Sequence, residues 1–326
     1  MSLTRSTTSA RPRGALSDYV SIARLDHSTK QIFIVPGIIL AYLLRGVRTD
    51  APMASIALGL LAAVGAACAN YVINEWLDRD FDRHHPAKSY RSSVQHELRG
   101  DLVLLEWGVF VVAALICARL DSSAMYLIAT AFVLQGIVYN VAPLRTKDVP
   151  YLDVISESIN NPLRLVIGWM MIDPTTLPPG SLILTYWSGG AFLMAAKRLS
   201  EYREICASHG KELLARYRAS FAGYSETSLT VSCFVYALFA VFFMAVFLVK
   251  YRIEYLLTVP VVIALFGYYM VMAMTPGSSA QKPERLFRER GLVALVVVLS
   301  AAFLLTTFVD VPIIEKLAVQ HYIGIQ

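Results

Sequence analysis

Residues 52–82 read PMASIALGLLAAVGAACANYVINEWLDRDFD, an apolar run that ends in three evenly spaced polar groups, Asn74, Asp78 and Asp82. An apolar run of about 20 residues is long enough to cross a bilayer as a helix. The four-residue spacing then predicts one helical face carrying an amide and two carboxylates. Carboxylates at the mouth of a membrane helix are costly unless a positive group lies against them. Mg²⁺ suits an oxygen-rich set and accepts phosphate oxygens as further ligands. The alternative is a solvated helix end in which Arg79 and Arg83 pair with Asp78 and Asp82. Glu75 and Asp80 point to other faces and read as bystanders.

The rest of the chain has the same character. Of its 326 residues, 56% are hydrophobic and 16% charged, with mean hydropathy +0.54, whereas a soluble domain carries about 25% charged residues. The pattern predicts an all-α polytopic membrane protein. Nine spans are expected: Gln31–Leu44, Pro52–Ile73, Leu102–Ala118, Ala124–Asn140, Leu152–Ile172, Leu182–Ala196, Ser228–Val249, Tyr255–Met274 and Leu292–Val309. A polar segment 1–30 precedes a transmembrane domain at 31–310, and a tail follows at 311–326. No cleavable signal peptide is visible before Ile32. Cys68, Cys117 and Cys233 lie in apolar runs, and the spacing of the four cysteines fits neither a zinc site nor a disulfide framework.

Charge sets the orientation. Of 29 Lys and Arg residues, 22 fall on the N-terminal segment and the loops after the second, fourth, sixth and eighth spans. The positive-inside rule makes that side cytoplasmic. The same side holds the long loops 74–101 and 197–227, and long charged loops usually carry function.

Three further clusters accompany Asn74–Asp82. Lys88 and Arg91 follow it and could bind an anion beside a metal. After the fourth span, Asp153 and Glu157 share a helical face, and Arg164 lies about two turns deeper. A buried arginine in a span has a partner; Arg164 is either half of a structural ion pair or holds an anionic substrate group. Arg145 and Lys147 either bind phosphate or set topology. Lys197, Arg198 and Glu201 mark the end of the sixth span, where snorkelling is the competing reading. QKPERLFRERGL, at 281–292, reads better as a lipid headgroup contact. His84 and His85 are adjacent and cannot face one ion as an i,i+4 pair does. Tyr139 and Tyr90 are candidate ring or phosphate contacts, as interfacial aromatics also are.

Two aspartate-rich motifs on the second and fifth helices of a nine-helix bundle resemble the UbiA superfamily of intramembrane prenyltransferases. Asn74, Asp78 and Asp82 match its N-D-x-x-D-x-x-x-D, with Glu75 in the second place. Asp153 matches D-x-x-x-D, with Glu157 in the last place. Within the superfamily, the chain resembles the decaprenyl-phosphate phosphoribosyltransferases. Asp82, His85, Pro86, Lys88 and Arg91 match D-x-x-H-P-x-K-x-x-R-P, with Ser92 for the final proline. Leu163, Arg164 and Gly168 match L-R-x-x-x-G; Lys197, Arg198 and Glu201 match K-R-x-x-E. Pro283, Glu284 and Leu286 match P-E-x-L. Lys30 stands at the family's N-terminal lysine, without the Trp and Asn around it.

The resemblance implies transfer of 5-phosphoribose from phosphoribosyl diphosphate to a polyprenyl phosphate, for cell-envelope glycan synthesis at a bacterial inner membrane. It implies Mg²⁺ held by Asn74, Asp78 and Asp82. Asp78, Asp82 and Asp153 would be catalytic. Lys30, Lys88, Arg91, Tyr139, Glu157, Arg164, Lys197 and Arg198 would bind substrate. The surplus of cations over what one diphosphate needs favours two phosphorylated substrates. An aromatic prenyltransferase of the quinone-pathway type and a non-catalytic lipid-phosphate carrier are the competing readings. No nucleic-acid partner is expected, and a homo-oligomer is compatible with the sequence.

Overall fold

The computed structural model describes residues 12–86, 88–281, 286 and 288–314, apart from the side chains of 27–29 and 281. Among these residues the chain is helical, with a single isolated bridge between Arg13 and Glu97. The elements are α1 (Leu16–Ile22), α2 (Val35–Arg45), α3 (Pro52–Asp82), α4 (Ser92–Gln95), α5 (Gly100–Asp121), α6 (Ser123–Asn140) and α7 (Leu152–Ser158). They continue with α8 (Asn160–Met170), α9 (Gly180–His209), α10 (Lys211–Tyr217), α11 (Glu226–Tyr251), α12 (Val259–Met274) and α13 (Arg290–Phe308).

Local chemistry accounts for several boundaries. Pro52 opens α3, where its missing N–H costs nothing. The Ser122 hydroxyl accepts from the Met125 amide at the start of α6, and Ser225 and Ser228 cap α11 reciprocally. The expected single span Leu152–Ile172 is instead two helices, broken at Ile159. Pro162 explains the break: it cannot donate to the Ser158 carbonyl, and its ring crowds that turn.

Six segments are long and apolar enough to cross a membrane: α3, α5, α6, Ile253–Met274 (a 3₁₀ turn plus α12), α11 and α13. The other expected spans fall on the 11-residue α2, on the broken α7–α8 pair, and on α9, which is long enough at 30 residues but less apolar. α3 is the central helix, with 56% of its apolar window buried, whereas the window of α13 is 6% buried and faces outward. The exposed Leu105, Val109, Val112 and Ile116 of α5 present the apolar surface a bilayer would cover.

Glycine allows close backbone contact between α2 and α8. A Cβ on Gly168 would sit 2.2 Å from the Ile34 carbonyl oxygen, and one on Gly37 would sit 2.2 Å from that of Leu165. Small residues let membrane helices approach closely enough for dispersion forces to hold them. α9 packs on α11 through Phe192, Leu199 and Leu229. At the end opposite the aspartate motifs, Arg45 pairs with Asp173 at 3.0 Å and Arg252 with Asp310 at 2.6 Å. The described part of the N-terminal segment is docked on the bundle: Asp18 pairs with His96 at 3.0 Å, and the Tyr19 hydroxyl accepts from the Arg99 amide. This packing brings the ends of α3 and α6 and the start of α7 to one face with the loop at 83–91.

Candidate active site

α3 carries Asn74, Asp78 and Asp82 down one face, as the spacing predicts, and the cations that meet them come from elsewhere. Arg79 donates to the Trp76 carbonyl and Arg83 pairs with Asp80, so the alternative, neutralisation of Asp78 and Asp82 by these neighbours, does not form. Asp78 Oδ1 instead receives Lys147 Nζ at 2.5 Å and Arg145 Nη2 at 2.9 Å. Asp82 Oδ2 receives Arg91 Nη1 at 2.5 Å. Each carboxylate keeps one lightly engaged oxygen. Asp78 Oδ2 accepts only a long 3.3 Å bond from the Asn74 amide, and the closest cation to Asp82 Oδ1 is Lys88 Nζ at 3.7 Å. Asn74 also donates to Asn140 Oδ1 at 2.5 Å.

Asp78 and Asp82 line one small, partly open cavity, shared with Asp148 and the cations Lys88, Arg145, Lys147 and Arg218. Lys147 is 3% exposed. Burial pushes its amine down to about 8, against the pull of the Asp78 carboxylate. The cavity therefore holds an excess of positive charge with carboxylates interleaved. Such a site suits a phosphorylated ligand that brings a cation of its own.

The second motif is arranged differently. Asp153 is wholly buried: Tyr224 donates to Oδ1 at 2.6 Å, while Ser220 and Arg198 each reach Oδ2 at 3.1 Å. It does not line the cavity, so the geometry gives it an anchoring place in contrast to the reacting place expected for it. Arg198 also meets Glu201 at 3.3 Å and Glu157 at 3.4 Å, which makes it a hub for three carboxylates. Tyr139 donates to Glu157 at 2.6 Å and accepts from Arg218 Nη2 at 2.6 Å.

A third group lies deeper. Arg164 is 7% exposed. It does not pair with Glu157, the acidic neighbour that the helical spacing offered. Its partners are Gln31 Oε1 at 3.2 Å, the Asn160 carbonyl at 3.3 Å and the face of Phe132. Lys30 lies over the Tyr71 ring at 5.4 Å, and its charge acts on Lys197. Among the described residues, neither Lys30, Arg164 nor Lys197 has a carboxylate within 4.0 Å.

The structure thus brings the expected residues into two groups. Asp78, Asp82 and Lys88 line the cavity, with Arg91 held against Asp82 and Tyr139, Glu157 and Arg198 in the network behind it. Lys30, Arg164 and Lys197 are apart. Tyr90 is 77% exposed and contributes nothing. Pro283, Glu284 and Arg285 lie outside the described residues. Arg218 was not foreseen, because one Arg among six basic residues of loop 197–227 has no distinguishing spacing. Arg145 and Lys147, left open between phosphate and topology, prove to be the partners of Asp78. Among the described residues no cluster of three or more His, Cys, Asp or Glu forms a ready metal site. The donors that fit a hard divalent cation are Asp78 Oδ2, Asp82 Oδ1 and the Asn74 carbonyl oxygen, all oxygen and on one helical face.

Comparison with known proteins places this chain in a family. The UbiA prenyltransferase family profile matches residues 34–293. Lycopene elongase/hydratase of Haloarcula japonica is 28% identical over 191 residues, 57% of this chain and 60% of that protein. Nodulation protein NoeC of Azorhizobium caulinodans is 27% identical over 178 residues, 53% of this chain and 55% of its own length. The chain thus spans less than two thirds of the length of either relative. A UbiA homolog from Archaeoglobus fulgidus, solved with GPP and Mg²⁺, superposes with a TM-score of 0.66 over 90% of this chain and 100% of that one, at 21% identity. That likeness is one of fold. With the profile covering most of the helical body and both aspartate motifs inside it, the protein belongs to the UbiA prenyltransferase family.

Proposed function

We propose that this protein transfers 5-phosphoribose from phosphoribosyl diphosphate to a polyprenyl phosphate, as the decaprenyl-phosphate phosphoribosyltransferases do. It would work with Mg²⁺, at the cytoplasmic face of a nine-pass bundle in a bacterial inner membrane. The observation that carries the reading is the division of cations into two groups. One is interleaved with carboxylates around Asp78 and Asp82; the other, Lys30, Arg164 and Lys197, has no carboxylate within 4.0 Å among the described residues, with Glu157 acting on Arg164 and Lys197 from farther off. A buried cation without a directly paired carboxylate, as Arg164 is, is costly, and an anionic substrate group is a partner that lowers the cost. Two groups answer to two phosphorylated substrates.

The residues divide the work accordingly. Asp78, Asp82 and Asn74 would hold the metal, which when bound supplies charge neutralisation for the leaving diphosphate. Lys88, Arg145, Lys147 and Arg218 line the same space and would stabilise negative charge as it develops, with Arg91 behind Asp82. The C1–O bond to diphosphate breaks with its electron pair going to the diphosphate, and a lipid phosphate oxygen forms the new bond to C1. That oxygen is already anionic, so no strong general base is needed. Lys30, Arg164 and Lys197 would hold the acceptor phosphate. Asp153 would fix Arg198 and Arg218 from behind, with Tyr139 and Glu157 setting their orientation.

A second reading is favoured by the A. fulgidus homolog, solved with GPP and Mg²⁺. The donor would then be a polyprenyl diphosphate, and the deeper cations would meet the carboxylate of an aromatic acceptor. A product assay on purified protein with Mg²⁺ separates the two. Labelled phosphoribosyl diphosphate and polyprenyl phosphate should give a labelled lipid. No such lipid, with robust prenylation of 4-hydroxybenzoate from a polyprenyl diphosphate, would refute the first reading and establish the second.

A further inference from the structure

The turn that carries Lys88 and Arg91 hangs on one residue outside the cavity. His85 is 6% exposed, and its carbonyl accepts the amides of both Lys88 and Ser89 at 3.2 Å. Its ring meets Tyr217 edge-on at 4.5 Å, and its Nε2 lies 2.9 Å from Glu201 Oε1. The other Glu201 oxygen is held by Arg198 Nη1 at 3.3 Å, and Arg198 in turn reaches Asp153 and Glu157. A continuous buried path therefore joins the loop after α3 to the middle of α9, the longest described helix after α3. Lys88 needs this support. Its flexible four-carbon stem otherwise samples many rotamers, and holding it over the Tyr217 ring at 5.7 Å and near Asp82 costs entropy that a fixed backbone reduces.

We propose that the His85–Glu201 pair is a positioning clamp: through the His85 carbonyl it fixes the backbone of Lys88 and Ser89, so that Lys88 stays aimed at the ligand phosphates beside Asp82 and Arg91 stays on Asp82. His85 touches no reacting atom in this account, and its effect passes through Lys88 and Arg91. The inference rests on the reading that the cavity takes a diphosphate.

The test is a double-mutant cycle read by calorimetric binding of inorganic pyrophosphate with Mg²⁺ to full-length protein in detergent. Lys88→Met should weaken binding about tenfold or more, the worth of one charge-assisted hydrogen bond. His85→Leu should weaken it by a similar factor, and the double variant should bind no more than about twofold worse than Lys88→Met alone, because coupled residues are not additive. His85→Asn, which keeps a donor for Glu201, should recover most of the affinity and serves if His85→Leu does not fold. A purely structural role for His85 would lower the melting temperature in both backgrounds and leave the two losses of affinity additive; additivity, or unchanged affinity in His85→Leu, overturns the clamp. Full affinity in Lys88→Met would overturn the diphosphate assignment itself, and the clamp with it.

Discussion

Asp78→Asn should act with opposite signs on two binding equilibria. In the wild type, Asp78 Oδ1 neutralises Lys147 at 2.5 Å and Arg145 at 2.9 Å. A phosphate oxygen taken up by Lys147 from the cavity side would lie about 3 Å from Nζ and so about 5–6 Å from the carboxylate. Two unit charges at that separation repel by about 3 kcal/mol at an effective dielectric constant of 20. The Asp78 side chain is 20% exposed, and solvent at the cavity mouth removes roughly half of the repulsion. What remains, about 1.4 kcal/mol, is about tenfold in affinity. At a pH low enough to keep Lys147 protonated without the Asp78 carboxylate, the amide variant should therefore bind bare pyrophosphate about tenfold tighter in EDTA. With Mg²⁺ the order reverses, since the amide has no charge for the ion, and most of the gain that Mg²⁺ gives the wild type should vanish, together with turnover. Isothermal titration with pyrophosphate, in EDTA and in Mg²⁺, reads both effects. Weaker binding in EDTA, or an undiminished gain from Mg²⁺, would refute the reasoning.

Two arginines buried at similar depth should respond differently to the same substitution. Arg198→Met leaves three carboxylates without their common partner and should cost about 3–5 kcal/mol, seen as a large fall in the thermal midpoint in detergent; an unchanged midpoint would show that the hub carries no load. Arg198→Lys should recover only part of it, since one ammonium cannot serve three acceptors. Arg164→Met orphans no carboxylate, so the midpoint should hold or rise, whereas affinity for polyprenyl phosphate should drop and that for pyrophosphate should not; equal losses of both would merge the two cation groups into one site. Gly168→Leu should separate α2 from α8, because even a Cβ there meets the Ile34 carbonyl oxygen at 2.2 Å, and folded yield on size exclusion should fall sharply, while a monodisperse, fully active variant would contradict the close contact.

Much of this protein was legible in the residues alone. Of the nine spans that hydropathy named, six are helices long and apolar enough to cross a membrane, since each spanning backbone must satisfy its own hydrogen bonds and so needs a long apolar run. Helical spacing put Asn74, Asp78 and Asp82 on one face, because the period of a helix is a local property. Charge asymmetry grouped the polar loops on one side. Local rules failed wherever a contact spans many residues. Arg79 and Arg83 stand at the right spacing to neutralise Asp78 and Asp82, yet Arg145, Lys147 and Arg91 do so, arriving from the turns after α6 and α3. The spacing of Glu157 and Arg164 suggested a pair, and the break at Ile159 turned them to different partners.

The division of the cations into two groups, the burial of Asp153 and the tie from His85 to Glu201 across 116 positions of chain were likewise decided by tertiary packing. The reason is physical. Sequence encodes periodicity and cost: which residues can lie in a bilayer, and which charges demand a partner. Which partner answers depends on distances between helix ends, and those are set by close packing of surfaces far apart in the chain.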